Sequence, residues 1–216
     1  MWSKWEVLAD ALLVARVALW LDADVALLSN PFTFLPASLW QTQADLVYQA
    51  EHPDEAGCAV PPGAACTASR CVDINSGQML VSSLALARAA RASQPENITN
   101  GRSSGLLEQN RIRQLVDGRG FRACPMPAAA FVSHCALKPL KPSQLKRRLD
   151  ELDQRLCSGG VATFHANCIG GAAPKLKALE AFVNRSRAAC ATAAAGGAPS
   201  TRGGATASTG AGLPGG

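Results

Sequence analysis

Val17-Ala18-Leu19-Trp20-Leu21-Asp22-Ala23-Asp24-Val25 is the stretch on which the fold reading turns. It opens with a continuous apolar run, short enough for a strand and of the kind that a strand buried on both faces carries. The run stops at two carboxylates, and Asn30-Pro31 breaks the chain soon after. Upstream, Ser3 and Glu6 have capping-box spacing, and Trp5, Leu8 and Leu12 repeat at helical intervals, which predicts a helix over 4–15. Downstream, the patterns predict strands at 44–48, 78–81 and 161–164. They predict helices ending near Ala92, over 106–116 and over 174–187, with loops at 51–72 and 93–105. Strands alternating with helices imply an α/β fold with a mostly parallel sheet flanked by helices.

At 216 residues the chain has the length of one domain plus an appendage. The appendage is 191–216, where 16 of 26 residues are Gly or Ala and the only large apolar side chain is Leu213. Such a segment buries too little to offset the cost of ordering it, so it is expected to be a disordered tail behind a domain at 1–190. The longest apolar window, 7–21, is interrupted by Asp10 and Arg16, so no transmembrane span is predicted. Met1-Trp2-Ser3-Lys4 does not begin a secretory signal. Net charge is +5, but the densest basic stretch, Lys138 to Arg148, contains no aromatic residue. Leu145, Leu149, Leu152 and Leu156 recur through it at helical spacing. Those cations read as the solvated face of an amphipathic helix, and nucleic acid is not an expected partner.

None of the eight cysteines lies in a C-x-x-C pair, which removes the main support for a zinc ribbon or a thioredoxin-like motif. An even number spread over loops suits disulfides, with at least one expected among Cys58, Cys66 and Cys71. Acceptor sequons at Asn97 and Asn184 lean the same way, towards the secretory pathway, although the second falls in a predicted helix. Buried, unpaired cysteines are the blander alternative.

Asp22 and Asp24 stand at the carboxyl end of a strand, where open α/β sheets place their ligands. Two ionised carboxylates so close repel unless a cation joins them, and Mn²⁺ or Mg²⁺ takes carboxylate oxygens and bridges to phosphates. The plainer reading is a strand-end turn in which both residues cap the next segment. A second cluster follows the last predicted strand: His165, Asn167, Gly170, then Lys175 at a helix start. A neutral imidazole is a suitable third ligand, Gly170 permits close backbone approach, and Lys175 supplies a cation for a diphosphate.

These segments resemble glycosyltransferase family 77, a family of nucleotide-diphospho-sugar transferases. Leu19 to Val25 with Asn30-Pro31-Phe32 is similar to its hydrophobic-D-x-D-V…N-P segment. Asp73-Ile74-Asn75-Ser76-Gly77-Gln78-Met79 resembles its N-x-G strand, and Leu107-Glu108-Gln109 its Asp-Gln helix start. The run His165, Asn167, Gly170, Lys175 resembles its terminal H-x-N…G…K, and Lys4 stands where the family has a Lys before the acidic strand. The matches extend in patches from Lys4 to about Phe182. The resemblance implies a GT-A type fold, Mn²⁺ (or Mg²⁺), a nucleotide sugar donor (UDP-linked), a glycan or glycoprotein acceptor and a Golgi setting. It implies that Asp22, Asp24 and His165 hold the metal, and that Asp22, Asp24, Gly170 and Lys175 hold the donor diphosphate. Asn75, Glu108 and Gln109 would then face the transferred sugar or the acceptor. Three departures stand out: Glu108 replaces the family's Asp, and Gln78 an apolar residue. The third is that the first βα units, which hold the nucleobase, are expected to be missing.

Two other readings compete. A haloacid-dehalogenase-type phosphatase also has D-x-D after an apolar strand, but its Thr or Val two residues past the second Asp is Ala26 here, and no later strand-end acidic pair follows. A disulfide-linked binding module, or a transferase relic without turnover, is the non-enzymatic alternative.

Overall fold

In a computed structural model, residues 3–35, 37, 39, 44–51, 74–93, 104–137 and 140–196 are described, with 104–107, 193, 195 and 196 described by backbone alone. The expectations for Cys58, Cys66, Cys71, Asn97 and residues 197–216 lie outside them.

Helix α1 (Ser3–Ala11) turns Trp5, Leu8 and Ala9 inward, and Leu12 just beyond completes the i, i+3, i+4, i+7 stripe. It packs on α2 (Leu84–Ala92), whose inner face is mostly alanine. Ser83 caps α2 by accepting from Leu86 N at 3.2 Å. Both helices close over one core with Leu46, Tyr48, Met79 and Val81, to which α3 (Ser104–Arg119) adds Ile112 and Leu115.

The strands are β1 (Ala18–Leu21), β2 (Val25–Leu27), β3 (Leu46–Ala50), β4 (Ile74–Val81), β5 (Ala123–Pro125), β6 (Phe131–Ser133) and β7 (Thr163–His165). They form two sheets, ordered β1-β4-β3-β5 and β2-β7-β6. The α/β class stands, but the mostly parallel sheet does not: β1/β4, β3/β4 and β2/β7 are antiparallel, and only β3/β5 and β6/β7 are parallel. A parallel neighbour needs a crossover connection, usually a helix. The segment between β3 and β4 carries no helical signal, and β4 returns antiparallel beside β3. The run before Asp22 is also not buried on both faces. β1 is the edge of its sheet and its residues are half-buried.

A second cluster, with Phe131 and Ala162 against Leu80 and Val47, fills the space beside β3 and β4. A third core lies under β6 and β7, where Phe164 stacks on Phe182 of α5 (Ala172–Gly196) with ring centroids 3.9 Å apart. α4 (Pro142–Cys157) buries Leu152 and Leu156 there and leaves Lys146 and Arg147 exposed, as its leucine spacing predicts. Arg185 donates twice to Asp153, at 2.7 and 2.6 Å, and a Cys157–Cys190 disulfide joins α4 to α5. α5 continues to Gly196, into the stretch read as tail. Among the described residues, no helix is long and apolar enough to cross a membrane.

Candidate metal and diphosphate site

Asp22-Ala23-Asp24 is the turn by which the chain leaves one sheet and enters the other. On the first sheet, Asp22 N donates to Gly77 O at 2.8 Å, and Trp20 Nε1 fixes the Asp22 carboxylate with a 2.6 Å bond to Oδ1. On the second, Ala166 N donates to Asp24 O at 2.9 Å, and Val25 pairs with His165. That register, rather than any local pattern, carries His165 to the acidic turn. The ligand atoms of Asp22, Asp24 and His165 all lie within 4.8 Å of one another. Both carboxylates are half-buried, and the imidazole is buried.

Asp24 is held from two sides, by His165 Nε2 at 3.3 Å from Oδ1 and by Lys175 Nζ at 2.5 Å from Oδ2. The hydrogen bond from His165, and then that from Lys175, hold the Asp24 carboxyl well below the usual carboxylate range against the opposing effect of burial. Lys175 is thus the counter-ion of Asp24.

Gln49 sets the state of His165. Its Nε2 donates to Phe131 O at 3.2 Å, which leaves Oε1, 2.7 Å from His165 Nδ1, as an acceptor. Nδ1 therefore carries a proton, and Nε2 is the ring nitrogen that faces the Asp24 carboxylate, to which it donates when protonated and beside which it can ligate a cation when it is not. An outer hydrogen bond on the far ring nitrogen is the usual support of a ligating histidine. Two carboxylates and an imidazole suit Mn²⁺ or Mg²⁺, whose opposed ligands at about 2.1 Å each stand about 4.2 Å apart. These residues are of the donor types that such a cation takes.

Backbone irregularity makes room for the ring. β3 and β4 pair up to Tyr48↔Met79 and resume at Gln49↔Asn75, so Ser76-Gly77-Gln78 is skipped and Gln49 is re-aimed. A Cβ on Gly77 would stand 2.3 Å from His165 Cε1 and 2.8 Å from Nε2. Glycine is needed here for space. Asn75 is buried, with its Oδ1 accepting from Gly77 N at 2.8 Å.

Glu108, expected to face the sugar or acceptor, is instead wholly enclosed, at 0% exposure. It pairs with Lys4 at 3.0 Å and accepts from Trp5 Nε1 at 2.8 Å, while Lys4 Nζ also donates to Ser76 O and Oγ, both at 2.9 Å. Burial pushes the Glu108 carboxyl up, opposed by Lys4 and Trp5. The cluster ties α1 and α3 to β4 beside Gly77. Gln109 is half-buried. Gly170 is exposed with open space where a Cβ would stand, and the left-handed backbone falls on Cys168 and Gly171 instead.

Asn167 Oδ1 accepts from Ser133 Oγ at 2.9 Å and Cys135 N at 3.2 Å, and a Cys135–Cys168 disulfide closes that loop. Cys124 is disulfide-bonded as well. Glu51 lies beside the Cys135–Cys168 sulfurs, but the bridge removes them as metal ligands.

Sequence reasoning brought Asp22, Asp24, His165 and Lys175 to one place, and these four do meet. It missed Gln49 and the steric need for Gly77. A glycine inside a strand was the available signal for the latter, since it often marks close approach of another group. Comparison with protein-family models, with curated proteins and with solved structures gave no match to this chain.

Proposed function

We propose that this chain is a metal-dependent nucleotide-sugar transferase domain of the glycosyltransferase family 77 type, with a GT-A type arrangement around the Asp22–Asp24 turn. The observation that carries the reading is the meeting of Asp22, Asp24 and His165, with Gln49 orienting the imidazole so that Nε2 faces Asp24. Asp22 and Asp24 supply oxygen ligands and His165 Nε2 a nitrogen to Mn²⁺ or Mg²⁺. When bound, the cation supplies Lewis acidity to the leaving diphosphate. Lys175, about one-third exposed, offers its ammonium to diphosphate oxygens. Gln109 and Asn75 are the groups left to meet the transferred sugar, while Glu108 positions β4 through Lys4 and Ser76. The donor is a UDP-linked sugar, the acceptor a glycan or glycoprotein, and the setting the Golgi.

Titration with Mn²⁺, followed by the loss of free-ion EPR signal with and without UDP, tests the site. A donor-sugar hydrolysis screen then tests turnover. Mutual enhancement of Mn²⁺ and UDP binding, lost in Asp24→Asn, is expected. UDP binding that ignores Mn²⁺, or Mn²⁺ binding untouched by Asp24→Asn, refutes the proposal. Metal-dependent hydrolysis of p-nitrophenyl phosphate that requires Asp22, without UDP binding, would establish the phosphatase reading instead.

A further inference from the structure

α5 carries the second acceptor sequon, Asn184-Arg185-Ser186, and the function proposed above leaves it without a task. Lys177, Glu180, Ala181, Asn184, Arg187 and Ala188 are all exposed, at the three- and four-residue steps of one helix face. Packing falls to the other side of the helix, where Phe182 stacks on Phe164 and Arg185 reaches Asp153. Asn184 stands in the middle of the exposed stripe, and its side chain forms no hydrogen bond among the described residues. Ala181 and Ala188, one turn away on either side, are too short to cover it. Asn is a poorer helix former than the alanines around it, so neither packing nor propensity accounts for its place there. The cysteines supply a second observation. All five among the described residues are disulfide-bonded, and such bonds form and persist in oxidising compartments such as the secretory lumen. Asn-x-Ser/Thr acceptors of secreted proteins are glycosylated.

We infer that Asn184 is an N-glycosylation site, its substrate a lipid-diphosphate-linked oligosaccharide. Asn184 Nδ2 attacks the anomeric carbon, and a C–N bond forms as the bond from that carbon to the diphosphate oxygen breaks. The lipid diphosphate leaves with the electron pair, the amide proton passes to a base of the transferring enzyme, and nothing is oxidised or reduced. Ser186 completes the acceptor. In the finished helix, residues two apart do not face each other, and Ser186 is half-buried. Transfer therefore precedes completion of α5. Most helical stability in proteins comes from tertiary packing, so the sequon stays open to the enzyme until the Phe182 and Arg185 contacts form. Closure of Cys157–Cys190 ends that interval. The inference rests on the disulfides and the exposure of Asn184 and is independent of the transferase reading.

The full chain, secreted from eukaryotic cells behind a cleavable leader, tests this by peptide mass spectrometry. Release of the glycan by N-glycosidase in heavy-oxygen water should convert Asn184 to labelled Asp. The label should be lost in Asn184→Gln and in Ser186→Ala and kept in Ser186→Thr. Cys190→Ser, which keeps the interval open, should raise the labelled fraction. The Cys157–Cys190 bridge, read in the same wild-type sample, certifies that the chain entered the oxidising lumen. An unlabelled Asn184 in protein with that bridge formed, and again in Cys190→Ser, overturns the inference. So does label that survives Ser186→Ala, which would be spontaneous deamidation.

Discussion

Replacing Gly77 by alanine adds one methyl group where the His165 ring already stands. The added Cβ would be 2.3 Å from Cε1, short of ordinary contact at 3.4 Å by about 1.1 Å. The ring cannot swing away without loss, because Nδ1 is tied to Gln49 and Nε2 faces Asp24. Forcing a methyl into a packed interior costs about 1–3 kcal/mol, whereas restricting the unfolded chain returns about 0.4–1 kcal/mol. Gly77→Ala should therefore lose about 1–2 kcal/mol in urea denaturation. On the proposed metal site, in which His165 is a ligand, displacing the ring should also weaken Mn²⁺ binding ten- to a hundredfold. The decisive measurement is the same substitution in a His165→Ala background. With the ring gone, the nearest remaining contact of the methyl is Asn75 Oδ1 at 3.0 Å, so Gly77→Ala should cost markedly less than it does in the wild type. A cost that agrees in both backgrounds to within about 0.5 kcal/mol would show that the ring is not what Gly77 accommodates, and the steric account would fail.

The buried Lys4–Glu108 pair predicts a large asymmetry: Glu108→Ala or Lys4→Met alone should cost about 3–5 kcal/mol, whereas Lys4→Met with Glu108→Leu should recover most of it. Additive losses in chemical denaturation would contradict that. Because burial raises the Glu108 pKa above its ordinary 4.5, the folded state holds that proton to higher pH than the unfolded chain does. Wild-type stability relative to Glu108→Gln should be highest below pH 4.5 and fall as pH rises above it, so a difference that grows with pH rules out the raised value. Lys175→Ala should weaken UDP binding in the presence of Mn²⁺ about ten- to a hundredfold by calorimetry, and an unchanged affinity would remove Lys175 from the diphosphate.

Short-range patterns announced the helices and the acidic turn, because apolar spacing and strand-end polarity are local properties. β2, β5 and β6 were not legible, since three residues carry no period and these strands exist only through their partners. The same holds within the site. Asp22 and Asp24 were visible as neighbours, while His165 reached them through the pairing of β2 with β7. Gln49 gave no signal at all: one amide in an otherwise apolar strand acquires its task only from the irregular pairing that aims it at the ring. Glu108 was misplaced for a related reason. A helix-start acid looks ready for substrate until a tertiary contact encloses it with Lys4.

The acidic turn also bears on how the protein comes apart. It joins a sheet resting on the α1–α2 core to a sheet resting on the α4–α5 core, and between them lies the cluster in which Phe131 and Ala162 pack on Leu80 and Val47. Asp22 is fastened to Gly77 on one side, and Asp24 to Ala166 on the other. An ion shared by Asp22, Asp24 and His165 would act as a rivet across that seam. Amide exchange in β4 and β7 should then slow together when metal is added, so occupancy would be written into the protein's largest-scale breathing as well as into local protection.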